Sequence, residues 1–170
     1  MAKLLIFSDS HGSALNIRPV LELHAANSDY ILHLGDGAEE FLRLAPEYPG
    51  KTFLCVRGNC DEAIAPPLRT LDVQGKKILL CHGHSFAVKG GIDTLALSAR
   101  RSGVDIALYG HTHTPLNVYL PEEDGFPPLY VFCPGSISLP AYGPPAYGLL
   151  EISPAGVMLS HGEVTGRRRR

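Results

Sequence analysis

The feature that most narrows the fold is an alternation in the first half of the chain, where short β-rich runs take turns with segments of helical apolar spacing. Residues 3–7, 30–34 and 52–56 read as strands. Residues 16–26 carry apolar Ile17, Val20, Leu21 and Leu23 with polar residues between, and Pro19 falls in the first turn, where a missing N–H is tolerated; residues 39–44 predict a second, shorter helix. Such repetition builds stacked β-α units around a largely parallel sheet. Residues 69–73 and 76–81, joined by Gln74-Gly75, read as a hairpin. A helix over 91–102 and a buried strand over 106–109 follow, and then the pattern changes. Residues 116–120, 129–133, 147–152 and 157–163 are β runs separated by Pro- and Gly-rich turns, with no helix among them. The second half therefore predicts a second, more antiparallel sheet packed on the first, with helices outside.

With 170 residues, 45% of them apolar and 19% charged, the chain suits one soluble globular domain, expected over residues 1–166. The Pro-rich stretches 121–128 and 140–145 read as loops, because neither flank alone holds a complete core. Arg167 to Arg170 is expected to be a frayed, solvated tail. A net charge of −2 gives no electrostatic reason to expect specific nucleic-acid binding. No apolar stretch reaches the length of a membrane span, and the N-terminal apolar run is cut short by Ser8-Asp9-Ser10-His11, so the expected home is cytoplasmic and free of membrane. Cys55, Cys81 and Cys133 lie in or beside apolar runs and are expected as buried free thiols of a reducing compartment.

Five polar clusters fall at the C-terminal ends of predicted strands: Asp9-Ser10-His11, Gly35-Asp36, Gly58-Asn59-Cys60-Asp61, His82-Gly83-His84 and Gly110-His111-Thr112-His113. In open α/β sheets the crevice beyond those ends is where ligands bind. Imidazole nitrogens with carboxylate and amide oxygens make a mixed donor set suited to Mn, Fe, Zn, Co or Ni. Two cations side by side need a donor that reaches both; a carboxylate has two oxygens, and Asp36, central to the set, is the natural bridge. Asp-x-His and His-x-His spacing places alternate residues on one side of an extended loop, so each pair aims at one small volume. Glycines beside four of the clusters allow tight turns and close approach.

This ordered set, from Asp9 to His113 and more weakly to Pro134-Gly135-Ser136, resembles the five motifs of the calcineurin-like metallophosphoesterases, and the short chain resembles their small bacterial phosphodiesterase branch. The resemblance implies an α/β fold: a four-layer α/β/β/α sandwich of two facing mixed sheets flanked by helices. It implies one cation held by Asp9, His11, Asp36 and His113 and another held by Asp36, Asn59, His82 and His111, most simply Mn2+. Such a pair, roughly 3.5–4 Å apart, lowers the pKa of a bridging water, binds phosphoryl oxygens and stabilises developing charge. The implied activity is hydrolysis of phosphoesters, phosphodiesters first and phosphomonoesters second. A contrasting possibility is the protein-binding scaffold of the retromer coat, which shares the fold with an impaired metal site.

Asp36, Asn59 and His84 are the expected catalytic residues, with Arg57, Cys60 and His84 expected to touch substrate and a homo-oligomer possible. Many relatives have histidine where this chain has Cys60, and that histidine, oriented by the next aspartate, is thought to protonate the leaving group. A neutral thiol is a weak donor, so Cys60 is not expected to act as a strong general acid, and good leaving groups, His84 or a metal-bound water are the alternatives. His33 is expected to be a packed histidine or a partner to a ligand. His24 and His161 are expected at the surface or a helix end.

Overall fold

The computed structural model of the chain describes residues 1–164; the Arg167 to Arg170 tail lies outside the described residues. The predicted β-α units form as β1 (Ala2–Phe7), α1 (Ile17–His24), β2 (Tyr30–His33), α2 (Ala38–Leu44) and β3 (Thr52–Cys55), with short 3-10 turns closing both helices. Helix α1 buries Ile17, Val20 and Leu21. Leu23, grouped with them by sequence, is 67% exposed, because it points to the opposite side of this one-layer helix. The predicted hairpin forms as β4 (Leu68–Val73) and β5 (Lys76–Cys81), followed by α3 (Asp93–Arg101), β6 (Ile106–Leu108), β7 (Leu116–Leu120), β8 (Leu129–Cys133), β9 (Ala146–Ser153) and β10 (Gly156–Glu163).

These strands make two mixed sheets, in the order β10-β9-β1-β2-β3 and β4-β5-β6-β8-β7. One expectation is corrected here: the four C-terminal β runs do not share a sheet. Strands β7 and β8 join the second sheet, whereas β9 returns to pair antiparallel with β1, from Ala2 opposite Ile152 to Ile6 opposite Gly148. The reason is β1 itself, buried almost throughout, which needs a strand on each side to satisfy its backbone.

Apolar side chains sort into three layers. Between the sheets lie Leu4, Ile6, Leu32, Ile78, Leu80, Leu108, Phe132, Leu150 and Ile152. The outer face of the first sheet packs Leu5, Phe7 and Ile31 against Ile17 and Leu21 of α1 and Phe41 of α2. Leu79, Ala107 and Val131 on the outer face of the second pack against Leu95, Ala96 and Ala99 of α3. Helix, sheet, sheet and helix thus form the four-layer α/β/β/α sandwich. Strands β1, β2 and β3 run parallel to one another, as do β5, β6 and β8. Each set delivers its carboxyl ends to a single edge. No helix among the described residues is long and apolar enough to cross a membrane.

Candidate metal centre

Loops from the two sheets meet at that edge and are bonded across it. His82 Nδ1, after β5, lies 2.7 Å from the Leu34 carbonyl after β2. The His111 N–H donates to Asp9 Oδ2 at 3.0 Å, and Ser136 Oγ, after β8, donates to the Asp9 carbonyl at 2.8 Å. Among the described residues the buried polar side chains are Ser8, Asp9, Ser10, Ser28, His33, Asp36, His82 and Ser136, and all but Ser28 belong to this edge or the strand end beneath it. Burying polar groups is unfavourable unless they are satisfied, so their concentration marks a prebuilt site.

The backbone carries a second signature. Eight non-glycine residues adopt positive φ among the described residues, and five of them are Asp9 (56°), His11 (49°), Asp36 (56°), His111 (70°) and His113 (56°). Each left-handed residue of this kind costs about 1–2 kcal/mol and persists only where its surroundings enforce it. Here the Asp9 N–H donates to the Gly35 carbonyl at 3.0 Å and the His11 N–H to the Asp36 carbonyl at 2.8 Å. The expectation of extended loops is corrected accordingly: alternate residues in Asp-x-His and His-x-His converge through left-handed turns, not by strand-like alternation. Glycine is required where loops touch, since a Cβ at Gly58 would overlap the Asp36 carboxylate and one at Gly110 would overlap Ser8 Oγ.

Ligating atoms fall into three overlapping groups, each within 4.8 Å: Asp9 with His11 and His113, Asp36 with His82 and His111, and His11 with Asp36 and Cys60. His111 and His113 therefore serve different groups, and Asp36 faces both halves. His113 Nε2 is 3.1 Å from Asp9 Oδ1 and 3.2 Å from His11 Nε2, while His82 Nε2 is 3.3 Å from Asp36 Oδ2 and 3.9 Å from Asp9 Oδ1.

Tautomers explain why this geometry suits a cation. A carbonyl oxygen only accepts, so the Leu34 and Leu139 carbonyls, 2.7 Å from His82 Nδ1 and 2.6 Å from His113 Nδ1, hold the hydrogen on Nδ1. Each ring, when neutral, turns its Nε2 lone pair toward carboxylate oxygens; against the opposing effect of burial, Asp36 and Asp9 raise the pKa of His82, and Asp9 raises that of His113. Asp9 Oδ1 and His82 Nε2 are buried without a hydrogen-bond partner. Lone pairs facing lone pairs repel, and a divalent cation held by these atoms would relieve that repulsion, with the Nδ1 bonds orienting the rings. The residues present fit such an ion.

Ionisation follows the same crowding. Burial opposes charge on Asp36, yet the adjacent His82 imidazole and the bond from the Cys60 N–H hold its carboxyl far below the usual range. Burial likewise opposes charge on Asp9, and His113, His82 and Ser8 outweigh it, so Asp9 is also lowered. Burial, reinforced by His82 and Lys89, pushes His111 down to about 4. Complete burial pushes His33 down to about 4.

The other sequence candidates take distinct places. Asn59 and Cys60 are exposed, with Asn59 Nδ2 3.3 Å from Cys60 Sγ and the Cys60 N–H donating to Asp36 Oδ1 at 2.8 Å. Partial burial and the adjacent Asp36 carboxylate raise the Cys60 thiol. Gly83, left-handed at φ 101°, turns His84 outward onto a 3-10 turn, and His84 joins none of the ligating groups. Partial burial and the neighbouring His82 ring lower the pKa of His84, with Arg57 adding to the effect. Cys55, Cys81 and Cys133 are buried free thiols. His24 ends α1 and bonds the Tyr147 hydroxyl at 2.9 Å, and His161 stacks on Phe132.

Asp61 shows a role that sequence reasoning missed. Instead of orienting the side chain at position 60, its carboxylate accepts the N–H groups of Asp36, Gly37 and Gly58 at 2.7 Å and of Ala38 at 3.1 Å. One aspartate thus ties the Asp36 loop, the start of α2 and the Asn59 loop together. An aspartate three residues after a turn glycine is a local signal for such backbone capture, though only for the Gly58 bond.

Imidazoles and carboxylates converging on orphaned lone pairs, at the carboxyl ends of parallel strands, define the class: a metal-dependent hydrolase on a two-sheet sandwich. Residues 2–154 match the calcineurin-like phosphoesterase superfamily domain, and the chain belongs to that superfamily. It is 34% identical to Phosphodiesterase YfcE of Escherichia coli strain K12 over 89% of this chain and 88% of that protein, and 32% identical to the probable metallophosphoesterase YsnB of Bacillus subtilis strain 168 over 81% and 76%. A conserved Streptococcus pneumoniae protein superposes with a TM-score of 0.69 at 26% identity, covering 95% of this chain and 99% of its own. Vps29 of Entamoeba histolytica, complexed with Zn2+, shares the fold with a TM-score of 0.69 at 22% identity over 96% and 99%.

Proposed function

We propose that this protein hydrolyses phosphodiesters with two divalent cations, Mn2+ foremost. Asp9, His11, Asp36 and His113 hold one, and Asp36, Asn59, His82 and His111 hold the other, with Asp36 common to both. The observation that carries this reading is the pair of orphaned buried atoms, Asp9 Oδ1 and His82 Nε2, set among two ligating groups. When bound, two such cations supply a nucleophilic water at neutral pH and neutralise phosphoryl charge.

The chain's own part is preorganisation. Carbonyl-bonded imidazoles keep their Nε2 atoms aimed inward, and Asp61 with the left-handed turns holds the loops before substrate arrives. On this reading exposed His84, beside His82, and Arg57 meet phosphate oxygens. Cys60 brings a neutral thiol, a weak donor, to the position beside Asp36. Esters with good leaving groups are therefore the preferred substrates. The identity to a protein named a phosphodiesterase supports diesters over monoesters. A scaffold without chemistry does not need this complete donor set with its strained backbone, so the hydrolase is the better reading.

The test is elemental analysis together with Mn2+-dependent hydrolysis of bis-p-nitrophenyl phosphate against p-nitrophenyl phosphate. Two bound equivalents with faster diester turnover are expected. No bound metal and no turnover of either ester would refute the hydrolase reading, and faster monoester turnover would reverse the preference.

A further inference from the structure

Ser10, His33 and Glu40 lie between the loop carrying Asp9 and His11 and the loop carrying Asp36, and no step of the proposed hydrolysis uses them. Ser10 Oγ is 2.6 Å from Glu40 Oε1 and 2.9 Å from His33 Nε2. The same Glu40 oxygen accepts the Gly12 N–H at 2.8 Å, and His33 Nδ1 accepts the Gly35 N–H at 3.2 Å.

Counting protons fixes the direction of every bond. Because Gly35 donates to Nδ1, the neutral His33 ring carries its hydrogen on Nε2 and donates to Ser10 Oγ; the Ser10 hydroxyl then donates to the Glu40 carboxylate. A serine, a histidine and an acid in contact suggest a nucleophilic triad, but the order is wrong for one. The serine proton points to the carboxylate, not the imidazole, and both Ser10 and His33 are wholly buried. Gly37 is the floor beneath this cluster, where any Cβ would collide with Ser10 Oγ and Glu40 Oε1. Glu40 occupies the third position of α2, from which such a side chain ordinarily reaches back to its own helix start. Here it reaches across to the next loop instead, gripping the residues on either side of His11.

We propose that Ser10, His33 and Glu40 form a positioning chain that sets the spacing between the His11 half of the metal centre and Asp36. Its metal readout rests on the two-cation reading above; its backbone readout does not.

The test measures amide hydrogen exchange at Gly12 and Gly35 in the metal-free protein, and Mn2+ affinity, in Glu40→Ala, Glu40→Gln and Ser10→Ala. Glu40→Ala is expected to accelerate Gly12 exchange at least about 10-fold, the factor implied by loss of one charge-assisted bond, while amides of β9 keep their wild-type rates. Glu40→Gln restores Gly12 to within about threefold, because both bonds land on one oxygen that glutamine retains. Ser10→Ala, which leaves the Gly12–Glu40 bond in place, accelerates Gly35 instead. Mn2+ affinity falls about 10- to 100-fold in Glu40→Ala and recovers in Glu40→Gln. Wild-type exchange at Gly12 in Glu40→Ala, or a Glu40→Gln variant as loose as Glu40→Ala, overturns the positioning chain. Should the wild-type protein take up no Mn2+, the two-cation reading falls by itself and the exchange rates decide the chain.

Discussion

Replacing Asp61 by alanine is the sharpest perturbation of this site that leaves every candidate ligand side chain in place. Its carboxylate accepts four backbone N–H groups, three at 2.7 Å and one at 3.1 Å, and so is the common anchor of the Asp36 loop, the start of α2 and the Asn59 loop. A hydrogen bond to a charged group contributes about 1.5–3 kcal/mol, and the lower figure for all four comes to about 6 kcal/mol. Asp61 is only half-buried, so water refills part of the gap, and the expected loss is about 3–4 kcal/mol. For a chain of this size that lowers Tm by roughly 6–16 °C. Asparagine is no remedy, since its NH2 would face two of the N–H donors. Urea unfolding of wild type, Asp61→Ala and Asp61→Asn, with Mn2+ titration of each, checks the point. Both variants should be destabilised and should bind Mn2+ at least about 10-fold more weakly, as removal of a ligand-orienting partner does. A midpoint within about 0.5 kcal/mol of wild type, the range of ordinary surface substitutions, would refute the clamp.

The stability of the protein should also depend on His33. Its unfolded pKa is near 6.5 and burial sets the folded value at about 4, so between those values the unfolded chain binds more protons and stability rises with pH. The contribution, about 3 kcal/mol, is complete above pH 6.5 and is lost as pH falls toward 4; urea midpoints at pH 5 and 7 should differ less in His33→Gln, and an unchanged difference would remove His33 as the cause. Gly58→Ala places a Cβ onto the Asp36 backbone and carboxylate, and a destabilisation of about 2–3 kcal/mol with loss of Mn2+ binding is expected by calorimetry and metal analysis. Cys60→Ser should leave the dependence of rate on leaving-group pKa parallel to wild type, since the thiol donates weakly; a selective loss on poor leaving groups would show that Cys60 delivers the proton.

Much of the fold and most of the donor set were legible in the linear chain because they rest on local rules. Alternating strands and helices predicted the β-α half, and polar clusters directly after apolar runs pointed to the carboxyl ends of strands, near which the side chains of Asp9, Asp36, His82, His111 and His113 gather. What stayed hidden depends on partners distant in sequence. The return of β9 to β1 is decided by which buried edge needs a strand, and apolar periodicity does not name the partner. The left-handed turns at five donors are imposed by bonds to other loops, against the residues' own preference. Asp61 looks like an orienting acid and Glu40 like a helix cap; both instead hold loops that only the folded chain brings near. The sequence by itself thus determined which donors are available and the layer each strand could occupy. Tertiary structure alone decided the tautomers of His82 and His113, the sharing of Asp36 between two groups, and the backbone bonds that hold them, because each rests on atoms tens of residues apart brought into one small, crowded space.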